Sequence, residues 1–153
     1  MNKLLFFFLL FSLHVANVYS DIIKPNTKIE PYNVVEIQLI SLKNNDKPDK
    51  DFGIEQTWEF AHPENKMNTG PLKNFKKMLK NEIYSILLNH KDHKIEEIYN
   101  NKKIAIYDVI ILGSDNFYYE FKWQVERYDG KGSLNNCWLT TAVSNPVSLG
   151  ASI

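Results

Sequence analysis

Residues Ile104–Arg127 read IAIYDVIILGSDNFYYEFKWQVER, and the fold turns on their periodicity. From Phe117 onward, Phe117, Tyr119, Phe121, Trp123 and Val125 interleave with Tyr118, Glu120, Lys122, Gln124 and Glu126. Successive side chains of a strand point to opposite faces, so this alternation predicts an antiparallel strand with one buried and one wetted face. Just upstream, Ile104–Leu112 is apolar on both faces, as expected of a central strand. Gly113-Ser114-Asp115-Asn116 supplies turn residues between the two runs.

Outward from this pair, Lys94–Tyr99 (KIEEIY) is a short strand candidate. On the other side a Gly-containing turn, Asp129–Asn136, leads to CWLTTAV (Cys137–Val143), read as the last strand. Before His93 the period is helical. Asn33 precedes VVEIQLISL and Glu36 follows three residues later, a capping-box arrangement for a helix start. Val35, Leu39 and Leu42 share one face of that helix, although Val35, Ile37 and Leu39 also alternate as a strand would. Asp51 closes a polar loop as a second cap candidate, and Ile54, Trp58 and Ala61 keep helical spacing until Pro63 forbids continuation near His62. Thr69-Gly70-Pro71 opens the next helix, whose stripe is Leu72, Phe75, Met78 and Leu79. Ile83, Ile86 and Leu87 extend it beyond a kink near Asn81. Helices first and an antiparallel meander after predict an α+β domain, its N-terminal helices packed on a curved sheet of about four strands.

The ends are of another kind. Lys3, the apolar run Leu4–Leu13 and the site at Val18-Tyr19-Ser20 read as a signal peptide over residues 1–20, cleaved after Ser20. The apolar run is about half the roughly 20 residues a membrane span needs, so no stable membrane insertion is expected after cleavage. Residues 21–32 read as an extended leader, 33–147 as the single domain and 148–153 as a tail. Removing Lys3 takes the formal charge from zero to minus one, leaving no electrostatic reason to bind nucleic acid. Cys137 is the single cysteine, so no intramolecular disulfide forms despite the secretory route, and the hydrophobic core must supply the stability.

The strings NVVEIQLISLKNND, WEFAHPEN (Trp58–Asn65), TGPL (Thr69–Leu72) and the closing CWLTTAV resemble an uncharacterised family, domain of unknown function 4864. The likeness spans Asn33 to Val147, and its most specific pieces are the Trp58–Asn65 and Thr69–Leu72 blocks. That family looks like a trimmed version of the nuclear transport factor two-like, or cystatin-like, cone. The resemblance implies helices packed into a bent sheet and carries over no activity.

Several side chains are candidates for a site. His62, at a helix break beside Trp58 and Phe60, reads either as a general base or ligand-orienting donor, or as a capping histidine. Asp108 shares a strand face with Ile106 and Ile110; if dry, its pKa would rise as an isomerase base requires, and if wet it would pair with a lysine. His90-Lys91-Asp92-His93 brings two imidazoles and a carboxylate together, but no third ligand is evident, so no metal is assigned. Arg127 ends the inward row as the anion-anchoring candidate, and Trp58, His62, Tyr119 and Trp123 are the other expected ligand contacts. No phosphate loop, nucleophile elbow, CxxC or HExxH occurs, and no cofactor is implied.

Three functional readings follow. The leading one is a secreted non-catalytic module binding a small apolar or acidic ligand, or a protein partner. The others are an isomerase or dehydratase-like enzyme using His62 or Asp108, and a structural protein that homodimerises through its sheet. A cavity of about 300 Å³ or more between helices and sheet separates them: enclosing both His62 and Asp108 favours the enzyme, filled by Trp123 and Trp138 favours assembly or partner binding.

Overall fold

The computed structural model describes residues 21–152, so the signal-peptide reading lies outside the described residues. Four helices, α1 (Pro31–Lys43), α2 (Phe52–Glu59), α3 (Pro63–Thr69) and α4 (Leu72–Leu79), precede five strands. These are β1 (Asp92–Asn100), β2 (Ile104–Leu112), β3 (Phe117–Arg127), β4 (Trp138–Val143) and β5 (Val147–Ala151). All pair antiparallel in one curved, unclosed sheet. β1, β2 and β3 lie side by side; the last residues of β3 pair with β4 and its first residues with β5. The expected α+β architecture is therefore present, with one strand more than the sequence suggested. Ser148–Ala151, expected in a C-terminal tail, form β5 together with Val147.

The strands follow their alternation. Ala105, Tyr107, Val109 and Ile111 of β2 and Phe121, Trp123 and Val125 of β3 are buried against α1, α2, α4 and the turn before β1. Phe117 has the same parity but is 43% exposed, because it lies at the start of β3 beyond the shelter of the helices. β1, β4 and β5 each carry a register shift, at Ile98, Thr141 and Leu149 respectively. An extra residue in one strand bends it and increases its twist, which accounts for a sheet that curves around the helices.

The helices differ from the sequence reading in their ends. α1 starts two residues before Asn33, with Pro31 in its first turn, where a missing N–H costs nothing. Asn33 and Glu36 then fall inside the helix, where their side chains bond one another at 3.5 Å instead of capping it. Asp51 precedes α2 but makes no cap; its carboxylate accepts from Lys80 Nζ at 2.8 Å, tying α2 to the end of α4. α1 and α2 meet at Gly53, where a Cβ would run into the Ser41 carbonyl, lying 2.7 Å from its carbon and 2.9 Å from Asn45 Cα. α4 stops at Leu79, and Asn81 Oδ1 accepts from Ile83 and Tyr84 N–H, each at 3.0 Å. The helical continuation expected through Ile83–Leu87 is thus a turn leading into one 3₁₀ turn, Ser85–Leu87.

Candidate functional site

A cleft of about 280 Å³ opens where α2, α3 and α4 stand over β3 and β4. Its floor is Trp123, 1% exposed and aligned by a buried polar network. Trp123 Nε1 donates to Gln38 Oε1 at 3.2 Å, Thr140 Oγ1 donates to the same oxygen at 2.6 Å, and Gln38 Nε2 donates to the Thr57 carbonyl at 3.1 Å. A buried polar group left unpaired would cost a few kcal/mol; fully paired, this set fixes the indole in one orientation. Phe75 and Trp58 form a wall, their ring centroids 5.0 Å apart at 46°, with Met78 and Leu79 beside them and Tyr84 and Leu87 at the end.

The joint between α2 and α3 closes the other side. Pro63 cannot extend α2, so the backbone turns at Ala61-His62 and pairs with β4 instead: Thr140 N–H donates to the Phe60 carbonyl at 2.8 Å and His62 N–H to the Thr140 carbonyl at 2.9 Å. Asn65, in the first turn of α3, donates its amide to the Thr140 and Thr141 carbonyls at 3.2 and 2.8 Å. These bonds sit at the β4 register shift, which turns both carbonyls toward α3. Asn68 and Thr69 form the mouth.

The electrostatics of the cleft are simple. Its lining contains no carboxylate, imidazole, thiol, amine or guanidinium; the one titratable group is the Tyr84 phenol, which donates to the Val143 carbonyl at 3.3 Å. Outside it, Lys66 lays its ammonium 5.4 Å above the Trp58 ring and donates to the Glu59 carbonyl at 3.2 Å. Burial of that amine holds its pKa below the ordinary lysine value, although Glu59 pulls the other way.

Of the side chains singled out in the sequence, Trp58 and Trp123 line the cleft, and His62, Tyr119, Arg127 and Asp108 do not. His62 caps α3: its Nδ1 accepts from Glu64 N–H at 3.2 Å, placing the ring hydrogen on Nε2, and the ring stands edge-on to Tyr128 at 5.3 Å. The capping alternative is the arrangement present. Asp108 lies opposite Lys122 on the sheet face away from the helices and pairs with it, and this pair raises the Lys122 pKa. Arg127 is exposed, its Nε donating to the Asn136 carbonyl at 3.3 Å, while Tyr119 donates to Asp115 at 2.6 Å. Cys137 and Trp138 are buried, and Trp138 takes no part in the lining.

The remaining sequence candidate is the histidine pair. His90 is 2% exposed; its Nδ1 lies 2.8 Å from the Leu87 carbonyl and its Nε2 lies 2.8 Å from His93 Nδ1. A carbonyl only accepts, so neutral His90 carries its hydrogen on Nδ1 and takes one from His93 at Nε2. Asp92 turns away to Lys43 at 3.4 Å. Among the described residues no group of three or more potential ligands gathers around a metal position.

The outer face of the sheet is mixed. A shallow hollow there is lined by Ile98, Ile106, Ala142 and Val143 with Lys122, Gln124 and Ser144.

Two residues that shape the cleft, Gln38 and Asn65, were not singled out in the sequence. Gln38 carried a signal, since it shares a helical face with Val34, Val35 and Leu42, where an apolar residue belongs. For Asn65 no local signal exists, because its role depends on the distant β4 register shift. No family model, no curated protein and no solved structure matches this chain.

Proposed function

We propose that this protein is a non-catalytic module that holds a small uncharged molecule in the cleft between its helices and its sheet, and that it does so in the secretory route. The observation that carries this reading is the lining: aromatic and aliphatic walls, a rigid indole floor and neutral amides and hydroxyls, with no ionisable group but one phenol. Binding pockets of this kind gain affinity from apolar walls and orientation from a few fixed polar atoms. At about 280 Å³ the cleft falls just below the usual range, which starts at about 300 Å³, so its ligand is the size of one or two fused rings.

The isomerase reading needs His62 or Asp108 at a cavity; the first caps α3, the second is paired on the opposite sheet face, and neither lines the cleft, which favours binding over proton transfer. Both the likeness of Trp58–Asn65 and Thr69–Leu72 to an uncharacterised family and the apolar run Leu4–Leu13 support the proposal, the first for architecture and the second for destination. Saturation-transfer NMR against a set of small uncharged aromatic fragments tests it. Fragments should bind, and Met78→Trp, which fills the cleft, should abolish the signal in a protein of unchanged fold. Absence of any binding fragment, or binding unaffected by the filled cleft, overturns the reading.

A further inference from the structure

We propose that this protein pairs with a second copy of itself along the outer edge of β1, with Ile95 opposite Ile95 across a two-fold axis and the two sheets joined into one. The proposal is independent of the cleft and starts from how the chain treats the edges of its sheet. The edge of β4 is covered from within. Thr140 N–H donates to the Phe60 carbonyl, His62 N–H and the Asn65 amide donate to the Thr140 carbonyl, and the Tyr84 hydroxyl donates to Val143. β5 is only five residues long and is interrupted by its register shift at Leu149. β1 runs for nine residues, and among the described residues no other element pairs with its outer edge.

The backbone groups that face outward follow from β2. Gly113 N–H donates to the Phe117 carbonyl and Arg127 N–H to the Lys103 carbonyl, so the odd-numbered residues of β2 turn their backbone toward β3 and the even-numbered ones toward β1. Asp108 and Ile110 stand opposite Glu96 and Lys94, which therefore bond to β2; the backbone N–H and carbonyl groups of His93, Ile95 and Glu97 point away from it. No described residue outside β1 and β2 bonds to those of Ile95 or Glu97, and the His93 N–H has the Asp92 carboxylate beside it. The bulge at Ile98 ends the straight stretch. With Ile95 opposite Ile95 in an antiparallel copy, His93 comes opposite Glu97 on both sides of the axis, and the outward groups of one strand meet those of the other.

The charges choose this register. The Lys94 and Glu96 side chains are 70% and 60% exposed, and their contact within one strand, at 3.5 Å, is too open to bind them strongly. Across the axis each Lys94 faces Glu96 of the second copy at a close, non-hydrogen-bonded position. Moving the axis to Lys94 sets lysine against lysine and Asp92 against Glu96, and moving it to Glu96 or Glu97 sets glutamate against itself. Moving it to His93 requires the Lys91 N–H, which is already donated to the Leu112 carbonyl. Charged side chains on an edge discourage strand addition; here they penalise the neighbouring registers and spare this one.

Sedimentation velocity on the protein released by a secreting host tests the pairing, from about 10 µM to about 1 mM because an interface of this size is weak. The unmodified protein should show a monomer–dimer equilibrium, and hydrogen exchange at the Ile95 and Glu97 amides should slow as the dimer forms. Lys94→Glu and Glu96→Lys each set like charges against each other twice and should weaken the dimer at least about tenfold. An equimolar mixture of the two variants restores opposite charges at every position and should dimerise more tightly than either variant alone. Ile95→Pro removes an outward N–H that β2 does not use, so it should abolish the dimer in a folded monomer. A protein that stays monomeric at 1 mM overturns the proposal. So does a dimer whose strength neither charge reversal changes, and a mixture no tighter than its components overturns the register.

Discussion

His90 gives the sharpest quantitative expectation. It is 2% exposed, and burial, the largest cause, pushes its pKa from an ordinary 6.5 down to about 4; its bond to the Leu87 carbonyl opposes that shift, and His93 and Lys43 add to it. The sign follows from proton counting. Between pH 4 and 6.5 the unfolded chain protonates this histidine and the folded chain does not, so acid favours unfolding. The stabilisation of the folded state is full above pH 6.5 and shrinks as pH falls toward 4. A shift of that size is worth about 3 kcal/mol in total at 1.36 kcal/mol per unit, of which about 2 kcal/mol is lost between pH 7 and 4.5. His93, also lowered chiefly by burial, acts in the same direction. Asp46, Asp92 and Asp115 have carboxyl pKa values held below 3.8, so their contributions disappear at lower pH and leave this window to the imidazoles.

Urea titrations at pH 7.0 and 4.5 measure the effect directly. The unmodified protein should lose about 2 kcal/mol between the two. His90→Gln keeps a donor for Leu87 but cannot titrate; it should start less stable at pH 7.0 and lose much less on acidification. A flat profile for the unmodified protein, or an equally steep one for His90→Gln, would refute the account of a neutral buried pair joined by one shared hydrogen.

Three further expectations are narrower. Phe121→Ala should cost about 3–5 kcal/mol by denaturant titration through lost burial and the cavity left behind, whereas Lys122→Ala, which removes an exposed partner of Asp108, should cost under about 1 kcal/mol; similar losses for both would mean that the β3 faces are reversed. Gly53→Ala would gain up to about 1 kcal/mol of helix propensity in open space, but its Cβ collides with the Ser41 backbone, so a net loss of about 2 kcal/mol is expected, and an unchanged or raised Tm would show that α1 and α2 separate freely. N-terminal sequencing of the protein from a secreting host should begin at Asp21, and finding Met1 would end the signal-peptide reading.

What was legible in the sequence was whatever the chain writes with a short period. β3 announces itself by alternation, β2 by an apolar run on both faces and β4 by its apolar run after a Gly-containing turn, while α2 and α4 show apolar spacing that ends at Pro63 and begins at Pro71. α3 escaped notice because its seven residues bury nothing; only His62 and Pro63 mark its start. β5 is short and mostly exposed, and its pairing with the first residues of β3 is its sole reason to be a strand. The capping box at Asn33 lost to Pro31, whose fixed φ and missing N–H suit the first turn better than a side-chain cap two residues later. Asp108 was placed on the right strand face with Ile106 and Ile110, but a strand apolar on both sides does not say which side meets the helices. That was settled by register, which sets Lys122 opposite it.

The same distinction explains why only two of the five expected ligand contacts, Trp58 and Trp123, belong to the cleft. Trp58 and Trp123 were legible because large aromatics on a buried face must border any space the core fails to fill. His62 and Arg127 were chosen for their chemistry at element ends, and element ends are where such groups satisfy backbone: His62 takes the Glu64 N–H and Arg127 the Asn136 carbonyl. The polar character of the cleft comes from elsewhere, from a helix break and a β-bulge meeting across 75 residues of sequence. Pro63 forces the backbone at Ala61-His62 onto β4, and the extra residue at Thr141 presents two carbonyls to Asn65. Neither event alone makes a site. Together they use up the donors of Asn65 and hold α3 against β4 beside the cleft. The placement of α3 over the cleft is thus a by-product of satisfying two irregular pieces of backbone.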